Sequence, residues 1–181
     1  MEYLFTSERL GFRPWTTDDL EPMAAINADP EVMRHFPKIP DVEDTRDFIE
    51  RMHRQYVDNS FCYFAVELLE SNTFIGFIGL CVISFESKFT PCVDIGWRLK
   101  QDEWGKGYAT EGAIACLDFG FNTIGLDKIY AVCPIVNLPS ENVMKKIGMS
   151  KHSLFNHPYL SDYPLLEECY AYVIEKSSVK K

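Results

Sequence analysis

The stretch from "PCVDIGWRL" (residues 91–99) through "EWGKGYATEG" (103–112) to "KIYAVCPIV" (128–136) reads as strand, glycine loop, helix and strand. That order constrains the fold more than any other feature, because one crossover unit commits two strands to a shared sheet and lays a helix on its face. From Thr110 to Asn122 the period is helical. Ala113, Ile114, Cys116, Leu117, Gly120 and Phe121 make a broad apolar face, and Glu111, Asp118 and Asn122 make the wet one. The loop ahead of the helix then lies where sheets of this type usually bind ligands.

The flanking sequence supplies the rest of a mixed sheet. Ahead of the crossover, "FCYFAVELLE", "TFIGFIGLCVISFE" and "PCVDIGWRL" are rich in aromatic and β-branched residues and are separated by the turn-like "SNT" and "ESKFTP", which predicts three antiparallel strands. At the start, "ERLGFRPW" reads as a strand. Thr16 and Asp19 have the spacing of a capping box for a helix to about Ala28, and Pro30 opens a second helix in "ADPEVM". A third, from about Val42, carries Phe48, Ile49, Met52 and Tyr56 on one face. After the crossover, Pro139 to Ile147 reads as a short helix ended by Gly148, and "SKHSLF" and "EECYAYVI" are closing strands. With 46% hydrophobic residues in a chain of 181, one substantial core can be buried. Residues 1–176 are therefore expected to form one domain of mixed α/β (α+β) class, with 177–181 as a short basic tail.

A formal net charge of −9 argues against a nucleic-acid partner, since such proteins usually display a basic stripe, and it suits a cationic ligand such as an amine. The longest apolar run, Phe74 to Phe85, falls far short of the ~20 residues a membrane helix needs, so no membrane partner is expected. Cys62, Cys81, Cys92, Cys116, Cys133 and Cys169 sit singly in apolar runs, with no Cys-x-x-Cys and no signal-peptide pattern. They read as reduced core thiols in a cytoplasmic protein. His35, His53, His152 and His157 share no metal-ligand spacing, which predicts no metal.

Gly105 and Gly107, leading into a helix, let backbone N–H groups converge on an anion at the positive end of the helix dipole. The spacing excludes two phosphate loops. There is no Gly-Lys-Ser/Thr after four spacers, and Gly-x-Gly-x-x-Thr lacks the third glycine of the dinucleotide fingerprint. Alone, Gly-x-Gly serves equally as a tight turn that ends a strand.

The wider match is more specific. "WGKGYATEG" followed by "NLPSENVMKKIGM", with "SERLGFRPWTTDDL", "DPEVMRHFP", "FIGFIGL" and "FTPCVDIGWRL" ahead of it, resembles the GNAT superfamily of acyl-CoA-dependent N-acetyltransferases. More narrowly it resembles the Rim-type branch, which includes ribosomal-protein alanine acetyltransferases. The resemblance spans nearly the whole chain. It implies a central, mostly antiparallel twisted sheet of about six or seven strands with about four flanking helices, and a V-shaped splay between the fourth and fifth strands. It also implies acetyl-CoA as co-substrate, with the pyrophosphate on the backbone amides of Trp104, Gly105, Lys106, Gly107, Tyr108, Ala109 and Thr110. The pantetheine arm would pair with Trp97, Arg98 and Leu99, as an added peptide strand pairs with a sheet edge. Trp104, Gly107 and Ala109 fall on the three defining positions of the family's pyrophosphate loop, with tryptophan in place of Gln or Arg. Asn137 matches the asparagine that hydrogen-bonds the arm, although a polar turn residue after a strand would look the same. Lys106, Lys145 and Lys146 form a basic cluster suited to the 3′-phosphate, Lys106 above all; a solvated helix face explains Lys145 and Lys146 as well.

Acetyl transfer to an amine needs a neutral amine, a polarised thioester carbonyl and a proton for the leaving thiolate. Asp94 is the candidate base, because it stands on the strand before the loop, where the family often carries a catalytic acid. Alternation puts it with Gly96 and Arg98, on the face opposite Val93, Ile95, Trp97 and Leu99. A surface pair with Arg98 explains the same residue. At an ordinary pKa near ~4 the carboxylate is a poor direct base, so a water relay or a raised pKa is expected. The resemblance assigns carbonyl polarisation to a backbone N–H beside a bulge, for which Gly96 is the candidate place. Many family members return the proton to sulfur from a tyrosine, but Met144 stands at that position here. Ser140, where Rim-type members carry a serine, is then the general acid, or else a helix-start serine that satisfies backbone amides. Tyr108 reads as a stacking or packing residue. "FNHPYL" puts His157 either in the acceptor pocket or in a loop fixed by Pro158, and Trp15, Phe36, Phe48 and Tyr56 either wall that pocket or pack in the core. The expectation is direct attack in a ternary complex by a primary amine, on a protein N-terminus or a small molecule. Its rival is a non-catalytic acyl-CoA-binding regulatory module. An exposed edge strand in such a sheet often finds a partner, which leaves room for a homodimer.

Overall fold

In the computed structural model, which describes residues 2–178, the period-two stretches pair into one eight-stranded sheet. The strands are β1 (Phe5–Thr6), β2 (Leu10–Arg13), β3 (Tyr63–Leu68), β4 (Thr73–Ile83), β5 (Cys92–Leu99), β6 (Lys128–Pro134), β7 (Ser150–Asn156) and β8 (Glu168–Glu175). Their order is β1-β2-β3-β4-β5-β6-β8-β7. All neighbours are antiparallel except β5 and β6, which run parallel. The α-helices are α1 (Leu20–Asn27), α2 (Pro30–Met33), α3 (Val42–Asn59), α4 (Tyr108–Asp118) and α5 (Leu138–Lys146). Among the described residues the sheet thus has eight strands rather than six or seven, and there are five α-helices rather than about four. The additions are small: β1 folds back on β2 through a turn closed by the Ser7 amide on the Leu10 carbonyl, and α2 is a single turn capped by Asp29. The basic tail expected over 177–181 lies largely outside the described residues.

The V-shaped splay falls between β5 and β6, because two-residue β1 adds one to the strand count. These strands register at one pair, Asp94 with Tyr130, and then part. On its other edge β5 stays in register with β4 from Cys92 to Leu99. The main chain beyond Asp94 is therefore anchored on one side and open on the other. No bulge interrupts it at Gly96, contrary to expectation. Gly96 pairs with Gly79, and the register shifts of the sheet lie at Val66/Glu67 and Lys151/Ser153.

The helix after the loop begins two residues earlier than its periodicity predicts and ends at Asp118 in a π-helical turn, Phe119–Ile124. Ala113, Cys116 and Leu117 are buried as expected, whereas Ile114 is 52% exposed. At about 100° per residue Ile114 lies only about 40° from Asp118, on the wet side. Of the residues on α3, Ile49 and Met52 enter the core, with Phe48 and Tyr56 at its margin.

One charge cluster ties the N-terminal segment to the sheet. Arg13, at the end of β2, makes paired hydrogen bonds of 2.7 Å to both oxygens of Asp19 and one of 2.8 Å from Nε to Glu67 on β3. All three side chains are buried, and Thr16 and Asp19 close the capping box ahead of α1. Burial alone would raise the Asp19 pKa, but the hydrogen bonds and charge of Arg13 hold it below the usual carboxylate range. A depressed folded pKa contributes stability that is present above the unfolded value and lost as pH falls. Arg13→Ala is expected to cost about 3–5 kcal/mol at pH 7, because two buried carboxylates lose their cation. Urea unfolding of parent and variant measures this, and a loss under ~1 kcal/mol would show that the cluster is dispensable.

Candidate active site

The glycine loop is shaped to present amides. Gly107 occupies the position just before α4 with φ +87°, a left-handed conformation that a side chain disfavours, and no side chain caps the helix there. The first helical hydrogen bond runs from the Glu111 amide to the Gly107 carbonyl, which leaves the amides of Tyr108, Ala109 and Thr110 at the helix start without intrahelical partners. Trp104 bends the loop back to the sheet, its Nε1 donating to the Leu99 carbonyl at 2.9 Å. Arg9 fastens the loop from outside. It donates to the Lys106 carbonyl at 3.1 Å, ion-pairs with Glu111 at 2.6 Å and lies 4.4 Å from the centre of the Tyr108 ring.

A cleft of about 330 Å³ opens along this loop and the free edge of β5. Trp97, Arg98, Leu99, Trp104, Gly105, Gly107, Tyr108, Ala109, Thr110, Asn137 and Ser140 all line it. Lys106 and Lys145 do not: each is held by an ion pair of 2.9 Å, to Glu103 and Glu141 respectively, and Arg34 and Lys146 join Arg98 as the cations at the cleft wall. Asn137 caps α5, its Oδ1 accepting from the Ser140 amide at 3.2 Å, which leaves its own N–H groups to face a ligand. Because Asn137 is the cap, the Ser140 hydroxyl is not needed for that purpose. Met144 is buried in the core. The loop amides, the open edge of β5 and the cations Arg34 and Lys146 together match a ligand with phosphates at one end and amides along its length, as acetyl-CoA has.

Asp94 lies two positions before Gly96 on the same face of β5, almost fully buried, and its partner is not Arg98. The Tyr63 hydroxyl donates to Asp94 Oδ2 at 2.5 Å, while Oδ1 makes no hydrogen bond of good geometry. Arg98 donates instead to Asn27 Oδ1 at 2.6 Å and lies between the rings of Phe36 and Phe77. Gly96 makes this arrangement possible, since a Cβ there would stand 3.0 Å from the Tyr63 ring. Burial pushes the Asp94 pKa up to about 7, against the opposing pull of the Tyr63 hydroxyl and the nearby Val132 amide. Loss of solvent around a carboxylate without a cation outweighs two hydrogen-bond donors.

Asp94 opens on a second pocket of about 320 Å³, walled by Phe85, Val132, His157 and Tyr159 among others. His35 and Phe36 line both openings. His157 lines this pocket, and its ring also caps the turn that begins at Pro158, accepting from the Tyr159 amide at 3.2 Å. Of the expected wall aromatics only Phe36 lines the pocket, while Trp15 is buried in the core and Phe48 and Tyr56 pack against it. Sequence reasoning missed Tyr63, Arg9, Asn27, Phe85 and Tyr159. Glu111, assigned to a wet helix face, holds Arg9 and the Ser7 hydroxyl.

Comparison with known proteins agrees with this geometry. The profile of the Acetyltransferase (GNAT) domain matches residues 9–150. The chain belongs to the GNAT acetyltransferase family, whose members use acetyl-CoA. It is 29% identical to the uncharacterized N-acetyltransferase YnaD of Bacillus subtilis (strain 168), over 94% of this chain and 96% of that one. A GNAT-family acetyltransferase of Bacillus anthracis superposes with a TM-score of 0.77 at 30% identity, covering 96% of this chain and 98% of that one. RimL, a ribosomal alpha-N-protein acetyltransferase solved with coenzyme A, superposes with a TM-score of 0.76 at 13% identity, covering 96% and 98%, a likeness of fold alone. Among the described residues no cluster could hold a metal ion, and no helix is long and apolar enough to cross a membrane.

Asp94 has a measurable signature independent of catalysis. A carboxyl whose folded pKa is raised keeps its proton longer in the folded state, so its contribution to stability falls as pH rises from about 4 to about 7. Asp94→Asn is expected to melt several degrees above the parent at pH 8, with the gap narrowing toward pH 4. Melting curves across that range test this, and a gap that ignores pH would mean an ordinary carboxylate.

Proposed function

We propose that the protein transfers acetyl from acetyl-CoA to a primary amine by direct attack in a ternary complex, with Asp94 as general base and Ser140 as general acid. The observation that carries this reading is the continuity of β5. One strand presents a free main-chain edge to a cofactor-shaped cleft and, from Asp94, a cation-free carboxylate to the adjoining pocket. The amine is that of a small molecule or a protein N-terminus. The Rim-type resemblance favours the second and the acidic surface the first.

Acetyl-CoA supplies an acyl group activated as a thioester. The amides of Tyr108, Ala109 and Thr110 receive its phosphates at the positive end of α4, with Arg34 and Lys146 nearby, while Trp97 to Leu99 and Asn137 hold the amide-bearing arm. Main-chain N–H groups of β5 just beyond Asp94 face the acyl oxygen, with no bulge needed to turn them. Asp94, ionised above pH about 7, accepts the proton that the amine gives up as its nitrogen bonds to carbon, directly or through one water. The Ser140 hydroxyl passes a proton to the sulfur as the carbon–sulfur bond breaks and takes one up from solvent in the cleft, so that the serine ends neutral. Tyr63 fixes the Asp94 carboxylate by a hydrogen bond and is a positioning residue. A non-catalytic binding module gains nothing from a buried carboxylate without a cation, which only destabilises the fold.

Acetyl-CoA at ~100 times its dissociation constant should stabilise the protein by about 2.7 kcal/mol, a melting rise of roughly 5–10 °C that ATP and NAD do not reproduce. Asp94→Asn should keep that rise and lose about 10²- to 10⁴-fold in kcat. Normal turnover in Asp94→Asn would remove Asp94 from the mechanism, and absence of the rise would remove acetyl-CoA.

The rate of the parent should climb through pH about 7 as Asp94 ionises. Tyr63→Phe deletes a donor that favours the ionised form, so the ascending limb should move to higher pH while the plateau rate changes less. A limb that stays in place would show that Tyr63 does not tune Asp94.

A further inference from the structure

The pocket beside Asp94 carries information about the acceptor, and the inference drawn from it rests on the transfer reaction proposed above. Rings not used by the hydrophobic core gather there. Phe85 stands 4.4 Å from His157, 6.0 Å from Phe155 and 6.5 Å from Tyr159, centre to centre, and Phe89 backs Phe155 at 5.1 Å. None of these belongs to the core cluster or to the residues packed on it. Phe36 and Tyr159 stand at solvent, 40% and 74% exposed, and give the pocket an aromatic entrance.

Its charge inventory is short. Burial lowers the pKa values of His35 and His157, with Arg34 adding to the effect at His35, so both rings are neutral at neutral pH. Burial pushes the Cys133 and Cys169 thiols up to about 12. Among the described residues that line the pocket there is no lysine or arginine, and Asp94 is the one acid. Arg98, on the same strand face, lines the other opening and is already engaged by Asn27. Asp94 Oδ1, buried and without a well-formed hydrogen bond, is the feature that awaits a donor.

We infer that the acceptor is a small primary monoamine on an uncharged, apolar body, of the arylalkylamine or alkylamine class. One ammonium group, or the neutral amine derived from it, meets the one carboxylate, and an apolar body meets the rings. A polyamine brings further ammonium groups into a pocket with no second carboxylate, for which ring faces compensate only in part. An amino acid brings a carboxylate beside Asp94 with no cation to receive it. A peptide brings amide groups for which the lining offers few polar partners.

The test is acetyl-CoA turnover, read as released CoA thiol, with 2-phenylethylamine, tryptamine, hexylamine, phenylalanine, spermidine and a short peptide with a free N-terminus. At least one of the three monoamines should exceed phenylalanine, spermidine and the peptide by about 100-fold or more in kcat/KM, a ratio expected when charged or polar groups enter a site without partners. Phe85→Ala and Tyr159→Ala should each raise the KM for that monoamine about tenfold with kcat and the acetyl-CoA melting shift little changed. The same monoamine should add to the melting temperature of the CoA-bound protein, and less so in Phe85→Ala. Preference for spermidine, phenylalanine or the peptide would overturn the inference while leaving the transfer reaction intact. So would acetyl-CoA binding with no monoamine turned over. Absence of both an acetyl-CoA shift and any turnover would instead bring down the transfer reading itself.

Discussion

The parting of β5 from β6 after the Asp94–Tyr130 pair is the constraint on which the rest of the molecule depends. A parallel pair that continued would bury the main chain of Ile95 to Leu99 in ladder hydrogen bonds and close the space between them. Because it stops, a sheet in the middle of the domain keeps an unpaired edge, a feature that proteins normally cover or blunt. The continuous register of β4 with β5 keeps that edge straight. The Trp104 bond to the Leu99 carbonyl and the Arg9 clamp then hold the glycine loop at the end of the same strand. Loop, edge and carboxylate are thus placed by one element, and small adjustments of the helices around it would not separate them.

The fold was legible in the sequence where local signals were strong. Three aromatic and β-branched runs, the glycine loop and the Asn137 to Gly148 segment all form the elements their patterns predict. Errors arose where the pattern could not carry the answer. Two-residue β1 has too few residues to show a period, and Ile114 was placed by hydrophobicity where the angular position around α4 decides. Gly96 reads from sequence as the place for a bulge, a common meaning of glycine in a strand. Its use here is to leave room for the ring of Tyr63, a residue 33 positions away in sequence that only the sheet brings near.

The candidate site was legible in the same uneven way. Residues contiguous with the loop could be placed from the motif, and they line one cleft. Of the lysines expected at the 3′-phosphate, Lys106 and Lys145 do not line that cleft, because each finds a carboxylate within four positions on its own segment, a local pairing that competes with any ligand. The Asp94 environment was hidden as well. Its partner comes from β3, the open pocket from β6 and from the segments after β4, β7 and α2, and no spacing along the chain encodes that convergence. A raised pKa was anticipated from what amine chemistry demands, and burial is its physical cause.

Two of the buried carboxylate environments, those of Asp19 and Asp94, show how one scaffold serves opposite ends. At Asp19, Arg13 supplies paired hydrogen bonds, Thr16 supplies a backbone donor, and the charge is stabilised to below its usual pKa. The result is a rigid joint between β2, β3 and the start of α1, indifferent to pH near neutrality. At Asp94 a phenol is the main donor, one oxygen is left without a well-formed bond, and the charge is destabilised until protonated and ionised forms are comparable near pH 7. That second arrangement is a local loss of stability, and it is tolerable because the surrounding strands are held elsewhere by satisfied contacts. It also concentrates two properties in one side chain: a pKa near neutrality, and an acceptor oxygen without a well-formed bond beside a pocket walled by aromatic rings. The raised proton affinity and the acceptor without a well-formed bond then follow from the same absence of a nearby cation.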